Sequence, residues 1–229
     1  MRDAVVLVPA AGRGERLGGD SPKALRELGG DPLLRHAVRR LAGAPSVGHI
    51  VVAVPAGTEK LVRGLLGSAT GADVSVVVGG VDRQGSVAAA LDAAPSAYQI
   101  VLVHDAARPL APPDLAERVV VAVREGHDAV IPVLEVVDTV KQVDANGRVV
   151  ATVDRATLRR VQTPQGFRRP VLAAAHSAAE DSATDDAGLV ERLGLPVHTV
   201  PGSEYAMKIT RPYDLTIAEL LLRLEPAHR

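Results

Sequence analysis

The sequence predicts a doubly wound α/β protein on a mostly parallel sheet, with a β-hairpin arm inserted late in the chain. Three observations predict it. Short apolar runs rich in Val and Ile recur as far as Val133 without alternating with polar residues, as strands buried on both faces do. Helical patterns separate those runs, which is the order of right-handed βαβ units. One later segment, Asp138 to Val153, breaks the alternation and reads as two strand-like runs around Asn146-Gly147, a strong signal for a tight hairpin.

The first run, Ala4 to Val8, superficially resembles a secretory leader. It is brief, follows Asp3 and leads into charged, Gly-rich sequence, so it is read as a buried first strand. Further strands are expected at Ile50 to Val54, Val74 to Val78, Ile100 to Val103 and Ala129 to Val133. Helices are expected at Leu33 to Leu41, Glu59 to Leu66, Ser86 to Ala93 and Pro113 to Arg124, where Pro113 suits a first turn whose N–H has no partner. After the arm come Val161-Gln162-Thr163, helices near Pro170 to Ala179 and Asp185 to Leu193, a strand at Val197 to Val200 and a last helix from Pro212. No repeat or linker interrupts the chain, so one domain over 1–229 with an arm at 136–155 is the simplest account. The arm is either a decorated edge or a surface for a second subunit.

Composition narrows the function. One Phe, three Tyr and no Trp leave a core of Val, Leu, Ile and Ala, and little for stacking on bases. A net charge of −1 supplies no broad basic field for nucleic acid. No apolar run approaches the roughly 20 residues of a membrane span. The absence of Cys excludes disulfides and thiolate zinc sites and fits a cytoplasmic protein.

Ligands of open parallel sheets bind beyond the carboxyl ends of the strands, and unusual segments fall at those ends. After the first strand, Pro9-Ala10-Ala11-Gly12-Arg13-Gly14-Glu15-Arg16 and Ser21-Pro22-Lys23 combine close backbone approach with the charges of Arg16 and Lys23, a phosphate-binding pattern. Gly12-x-Gly14 begins a dinucleotide fingerprint, but Leu17 stands at its third glycine, and there is no GxxxxGK(S/T) loop. Gly79-Gly80, after the third strand, allow backbone to approach a flat base, and Ser86 can cap the helix that follows. Asp105, in His104-Asp105-Ala106-Ala107-Arg108-Pro109, is a good hard ligand for Mg²⁺, or else caps a helix or pairs with Arg108. His104 is read as a structural hydrogen-bonding group, and Thr184-Asp185-Asp186 as a helix start with an acidic first turn.

Together and in order, PAAGRGERLGGDSPK, GGVDRQGSV, LVHDAARP, DTVK, TVDR, QTPQGF, TDDA and MKITRP resemble the 2-C-methyl-D-erythritol 4-phosphate cytidylyltransferases of the non-mevalonate isoprenoid pathway. The resemblance implies a Rossmann-like nucleotidyltransferase fold and a homodimer whose hairpin arms reach the neighbouring site. It implies that Arg16, Lys23 and Lys208 are catalytic contacts to phosphates. Pro9, Ala10, Ala11, Gly12, Gly80, Arg83, Ser86, Asp105 and Ala106 would bind CTP. Asp105, Arg108, Thr139, Arg155, Thr163, Thr184 and Lys208 would bind the polyol phosphate, with Thr139 and Arg155 coming from the partner, and Asp105 would stand at the Mg²⁺. Val81 departs from members that carry an acidic residue there, which leaves base selection to backbone and Ser86. A phosphate monoester carries about −1.5 to −2 charges at pH 7 and needs no general base, so the expected chemistry is in-line displacement of pyrophosphate among fixed positive charges. Ribitol 5-phosphate as acceptor, a sugar-1-phosphate transferase using another nucleotide, and a non-catalytic nucleotide sensor are the competing expectations.

Overall fold

The computed structural model describes residues 1–12, 22–67, 71–179, 181 and 183–224. In chain order its elements are β1 (Ala4–Pro9), β2 (Glu27–Leu28), β3 (Asp31–Pro32), α1 (Leu33–Ala42), β4 (Val47–Val54), α2 (Glu59–Leu66) and β5 (Asp73–Val78). Then follow α3 (Arg83–Ala93), β6 (Ile100–Val103), α4 (Pro113–Arg124), β7 (Ala129–Glu135), β8 (Val140–Val143), β9 (Val149–Val153), β10 (Arg159–Val161) and β11 (Gln165–Arg168). The chain closes with α5 (Arg169–Ser177), α6 (Asp186–Arg192), β12 (Val197–Pro201) and α7 (Pro212–Leu224).

β1 lies between β4 and β6, both parallel to it, and β5 continues the sheet beyond β4. Beyond β6 comes antiparallel β11, then β7. β7 pairs with β10 and β11 along one side and with parallel β12 along the other. Residues of β1 alternate between two cores: Val6 and Val8 pack with Leu34 and Leu41 of α1 and Val119 of α4, while Val5 and Leu7 pack with Val87 of α3 and Leu172 of α5. Both faces of the strand are therefore buried, which is why the run never alternates with polar residues. Each such Val or Leu contributes roughly 1.5–3 kcal/mol by leaving water. α1 buries the stripe Leu33, Leu34, Ala37, Val38 and Leu41, the i, i+3, i+4 spacing of one helix face.

Three expectations need adjusting. The third helix begins at Arg83, not Ser86, because the Asp82 carboxylate accepts the Gly85 N–H at 2.7 Å and caps it there. β4 starts at Val47, the Ala4–Ser46 backbone bond joining it early to β1. The segment Val161-Gln162-Thr163 lies between two strands: β10 ends at Val161 and β11 begins at Gln165, while the side chains of Gln162 and Thr163 turn to polar partners inside. The arm forms, but Asp144 to Arg148 joins its strands; Asp144 Oδ1 accepts from the Asn146 and Arg148 N–H groups, and Gly147 takes φ +79°. No helix among the described residues is long and apolar enough to cross a membrane.

Candidate active site

The carboxyl ends of β1, β5 and β6 open on one cavity. Pro9, Ala10, Ala11 and Gly12 form one wall, while Gly80, Arg83 and Ser86 form another. Asp105 and Ala106 line it from the β6 loop, and Lys23 and Lys208 reach it from separate segments. Every residue expected to bind the nucleotide thus lies on a single surface. Arg16 lies outside the described residues. A second cavity adjoins the first, lined by Arg108, Thr163 and Thr184 and sharing Arg83, Asp105 and Lys208 with it. Thr139 and Arg155 line neither cavity; both are exposed on the arm, where Arg155 Nη1 donates to the Val137 carbonyl.

Local packing explains the glycines. A Cβ on Gly80 would stand 2.5 Å from the Gly85 carbonyl carbon, and one on Gly79 2.8 Å from both Ala11 Cβ and Ser86 Oγ. The close approach that the sequence suggested for a base is already used by the protein, to set the first turn of α3 against the β1 and β5 loops. Ser86 Oγ donates to the Asp82 carbonyl at 2.7 Å, so what its hydroxyl can offer the cavity is a lone pair.

The seam between the cavities is ionic. Asp105 Oδ1 accepts from Arg83 Nε at 3.2 Å and Oδ2 from Lys208 Nζ at 2.7 Å. Its pairing is thus with Arg83 and Lys208 rather than Arg108. Burial alone would raise the Asp105 pKa, but Arg83, then Lys208 and Arg108, outweigh it and hold the carboxyl well below the usual range. Burial opposes the charge on Arg83 too, yet Asp186 and then Asp105 raise its pKa. Arg108 is buried and its pKa is lowered, mainly by that burial. Its Nη1 donates to the Ala206 carbonyl at 2.6 Å and its Nη2 to Val161 at 3.2 Å, while its Nε has no partner. Arg108 therefore clamps the segment that carries Lys208, and the Ile209 N–H bonded to the Ala107 carbonyl at 2.8 Å completes the attachment.

Sequence reasoning missed three supports. Thr163 Oγ1 accepts the Asp105 N–H at 3.0 Å and faces His104 Nδ1 at 3.2 Å, so it fixes the Asp105 backbone besides lining a cavity. Gln165 donates to Asp185 and accepts from the Ala187 N–H, seating the start of α6. Asp186 holds Arg83. All three lie in motifs marked in the sequence, Thr163 and Gln165 in QTPQGF and Asp186 in TDDA, but only Thr163 was expected to serve the site.

A doubly wound sheet with a glycine-lined cavity and a second polar cavity, joined across fixed charges at its strand ends, defines a nucleotidyltransferase of Rossmann-like fold. A sequence model of 2-C-methyl-D-erythritol 4-phosphate cytidylyltransferase matches residues 4–224. The enzyme of that name from Nocardia farcinica is 57% identical over 218 residues, covering 95% of this chain and 93% of its own. The Frankia casuarinae enzyme is 56% identical over 222 residues, covering 96% and 82%. The crystal structure of the Thermus thermophilus enzyme superposes with a TM-score of 0.78 at 40% identity, covering 96% of this chain and 98% of that one. The chain belongs to the 2-C-methyl-D-erythritol 4-phosphate cytidylyltransferase family.

Proposed function

We propose that the chain transfers CMP from CTP to 2-C-methyl-D-erythritol 4-phosphate and releases pyrophosphate, working in the cytoplasm. One observation carries the reading: two adjoining cavities share Arg83, Asp105 and Lys208. With a nucleotide in one and a phosphorylated polyol in the other, both anions face the same ammonium and guanidinium. The acceptor phosphate is already a nucleophile, so the chain's task is to align two anions and stabilise charge as the phosphate oxygen attacks the α-phosphorus and pyrophosphate leaves. Lys23 and Lys208 supply positive charge from separate segments around the nucleotide cavity, and Arg16 adds to them on the sequence pattern. The Ser86 lone pair suits the amino group of cytosine better than the carbonyl of uracil, while Val81 stands fully exposed at the lip and has no polar group to offer.

We propose that a Mg²⁺ ion serves the site, held mainly by the triphosphate. Asp105 is the candidate carboxylate, but both its oxygens are paired with cations, and no group of three acidic or His side chains forms an all-protein cage among the described residues. When bound, the ion would neutralise phosphate charge and orient the triphosphate.

We further propose that the arm at 136–155 packs on a second copy of the chain and brings Thr139 and Arg155 to the partner's acceptor phosphate. The exposed Val143, Val149 and Val150 of the arm support this, since an isolated two-stranded ribbon has little to cover them. The deciding experiment follows pyrophosphate release from CTP and Mg²⁺ with 2-C-methyl-D-erythritol 4-phosphate or ribitol 5-phosphate. Turnover with the first and not the second is expected; CTP binding without turnover on either would favour a sensor.

A further inference from the structure

We propose that Asp186 is a positioning residue for this reaction: its buried carboxylate grips Arg83 from behind and, through that guanidinium, sets where Asp105 stands between the two cavities. The inference rests on the activity proposed above.

Asp186 lies in the first turn of α6 with its side chain 1% exposed. Oδ2 is 2.8 Å from Arg83 Nη1, an ion pair without good hydrogen-bond geometry at that oxygen. Oδ1 is 2.9 Å from Nε2 of His176, a residue of α5. An ionised carboxylate only accepts, so Nε2 carries the proton of that contact. Neither Asp186 nor His176 lines a cavity, so neither is placed to touch a substrate. On its other edge Arg83 donates from Nε to Asp105, and Asp105 meets Lys208. A planar guanidinium held by carboxylates on two edges loses its freedom to swing, which a single partner would not achieve.

Asp186 is not needed to start α6. Helix capping is already performed by Asp185, whose Oδ1 accepts the Gly188 N–H at 3.0 Å. A favourable charge near the helix dipole would need only an exposed acid. Burying a carboxylate costs several kcal/mol unless a partner offsets it, and the partner here is the cation at the seam. The pKa of Arg83 stands above its ordinary value despite burial, with Asp186 the foremost attraction.

The test uses the whole protein with two readouts. The Arg83 Nε–H resonance in ¹⁵N-arginine-labelled protein, assigned by its loss in Arg83→Gln, reports the guanidinium directly. The kcat for pyrophosphate release reports the consequence. Asp186→Asn is expected to shift the resonance and speed its exchange with water, and to lower kcat about 10–100-fold, as loss of a supporting partner does. His176→Gln should give a smaller change of the same sign. The Arg83→Gln/Asp186→Asn double variant should be no slower than Arg83→Gln alone, because Asp186 acts only through Arg83. An unchanged Arg83 resonance in Asp186→Asn, or losses that multiply in the double variant, would overturn the proposal. If Asp186→Asn does not fold, an unmoved resonance in His176→Gln overturns it equally. A wild-type protein that releases no pyrophosphate would sink the activity, while the resonance still decides whether Asp186 holds Arg83.

Discussion

Lys208 lines both cavities, as Arg83 and Asp105 do, and its ammonium lies at their seam, 2.7 Å from Asp105. Lys208→Ala should lower kcat about 10²–10³-fold, the usual effect of losing one preorganised charge donor, with folding intact. Pyrophosphate release measured at saturating substrates checks it, and near-normal turnover would remove Lys208 from the chemistry. His104 sets a different property. It is fully buried, with Nε2 3.2 Å from the Arg108 carbonyl, and burial lowers its pKa from 6.5 to about 4. Between those values the unfolded chain takes up a proton that the native chain excludes, so stability is full above 6.5 and falls as pH drops towards 4. The loss is on the order of 3 kcal/mol at roughly 1.36 kcal/mol per unit. Asp105, whose pKa is depressed, adds its own loss only below the usual carboxylate range. Urea unfolding from about pH 7 to about pH 4 should show the first slope in the wild type, and His104→Gln should flatten it. The sequence marked His104 as a hydrogen-bonding residue, but its partner Thr163 lies 59 positions away and no local pattern joins them.

Helix α3 is held at both ends by groups that sequence reading treated unequally. At its start, Gly80 has no room for a Cβ because the Gly85 backbone lies against it. Gly80→Ala should cost about 1–3 kcal/mol as overpacking and weaken CTP binding, both readable by thermal unfolding with and without CTP. At its end, Arg169 donates to the carbonyls of Leu91, Ala94, Pro95 and Tyr98. Arg169→Met should destabilise by about 1–3 kcal/mol because those carbonyls lose their donor, while leaving the KM for CTP unchanged. The first glycine was legible as a close-approach residue; what it approaches was not. Arg169 reads in sequence as one more surface cation, because its partners belong to a turn reached only when β11 docks beside β6.

The whole molecule raises the question of the arm. Thr139 and Arg155 stand away from both cavities of their own chain, and the arm's valines are exposed. Val149→Lys with Val150→Lys should yield a monomer by analytical ultracentrifugation, with a raised KM for the acceptor and a largely preserved affinity for CTP. Mixing Arg155→Ala protein with Lys208→Ala protein should restore part of the activity that neither has alone, since one site of a mixed dimer would draw both intact residues. Failure to regain any turnover on mixing would argue that each chain works alone.

The sequence by itself determined the parallel part of the sheet, the order of its βα units, the arm and the strand-end loops that line the first cavity. Those features rest on local chemistry: runs of Val and Ile buried on two faces, glycines at turns, and apolar stripes at helical spacing. Tertiary structure alone decided that β10 and β11 run antiparallel inside the sheet, that Asp105 pairs with Arg83 and Lys208 instead of Arg108, and that Asp186 stands behind Arg83. Such pairings join residues up to 103 positions apart, and charge carries no sequence period, so only the packed chain selects which opposite charges meet.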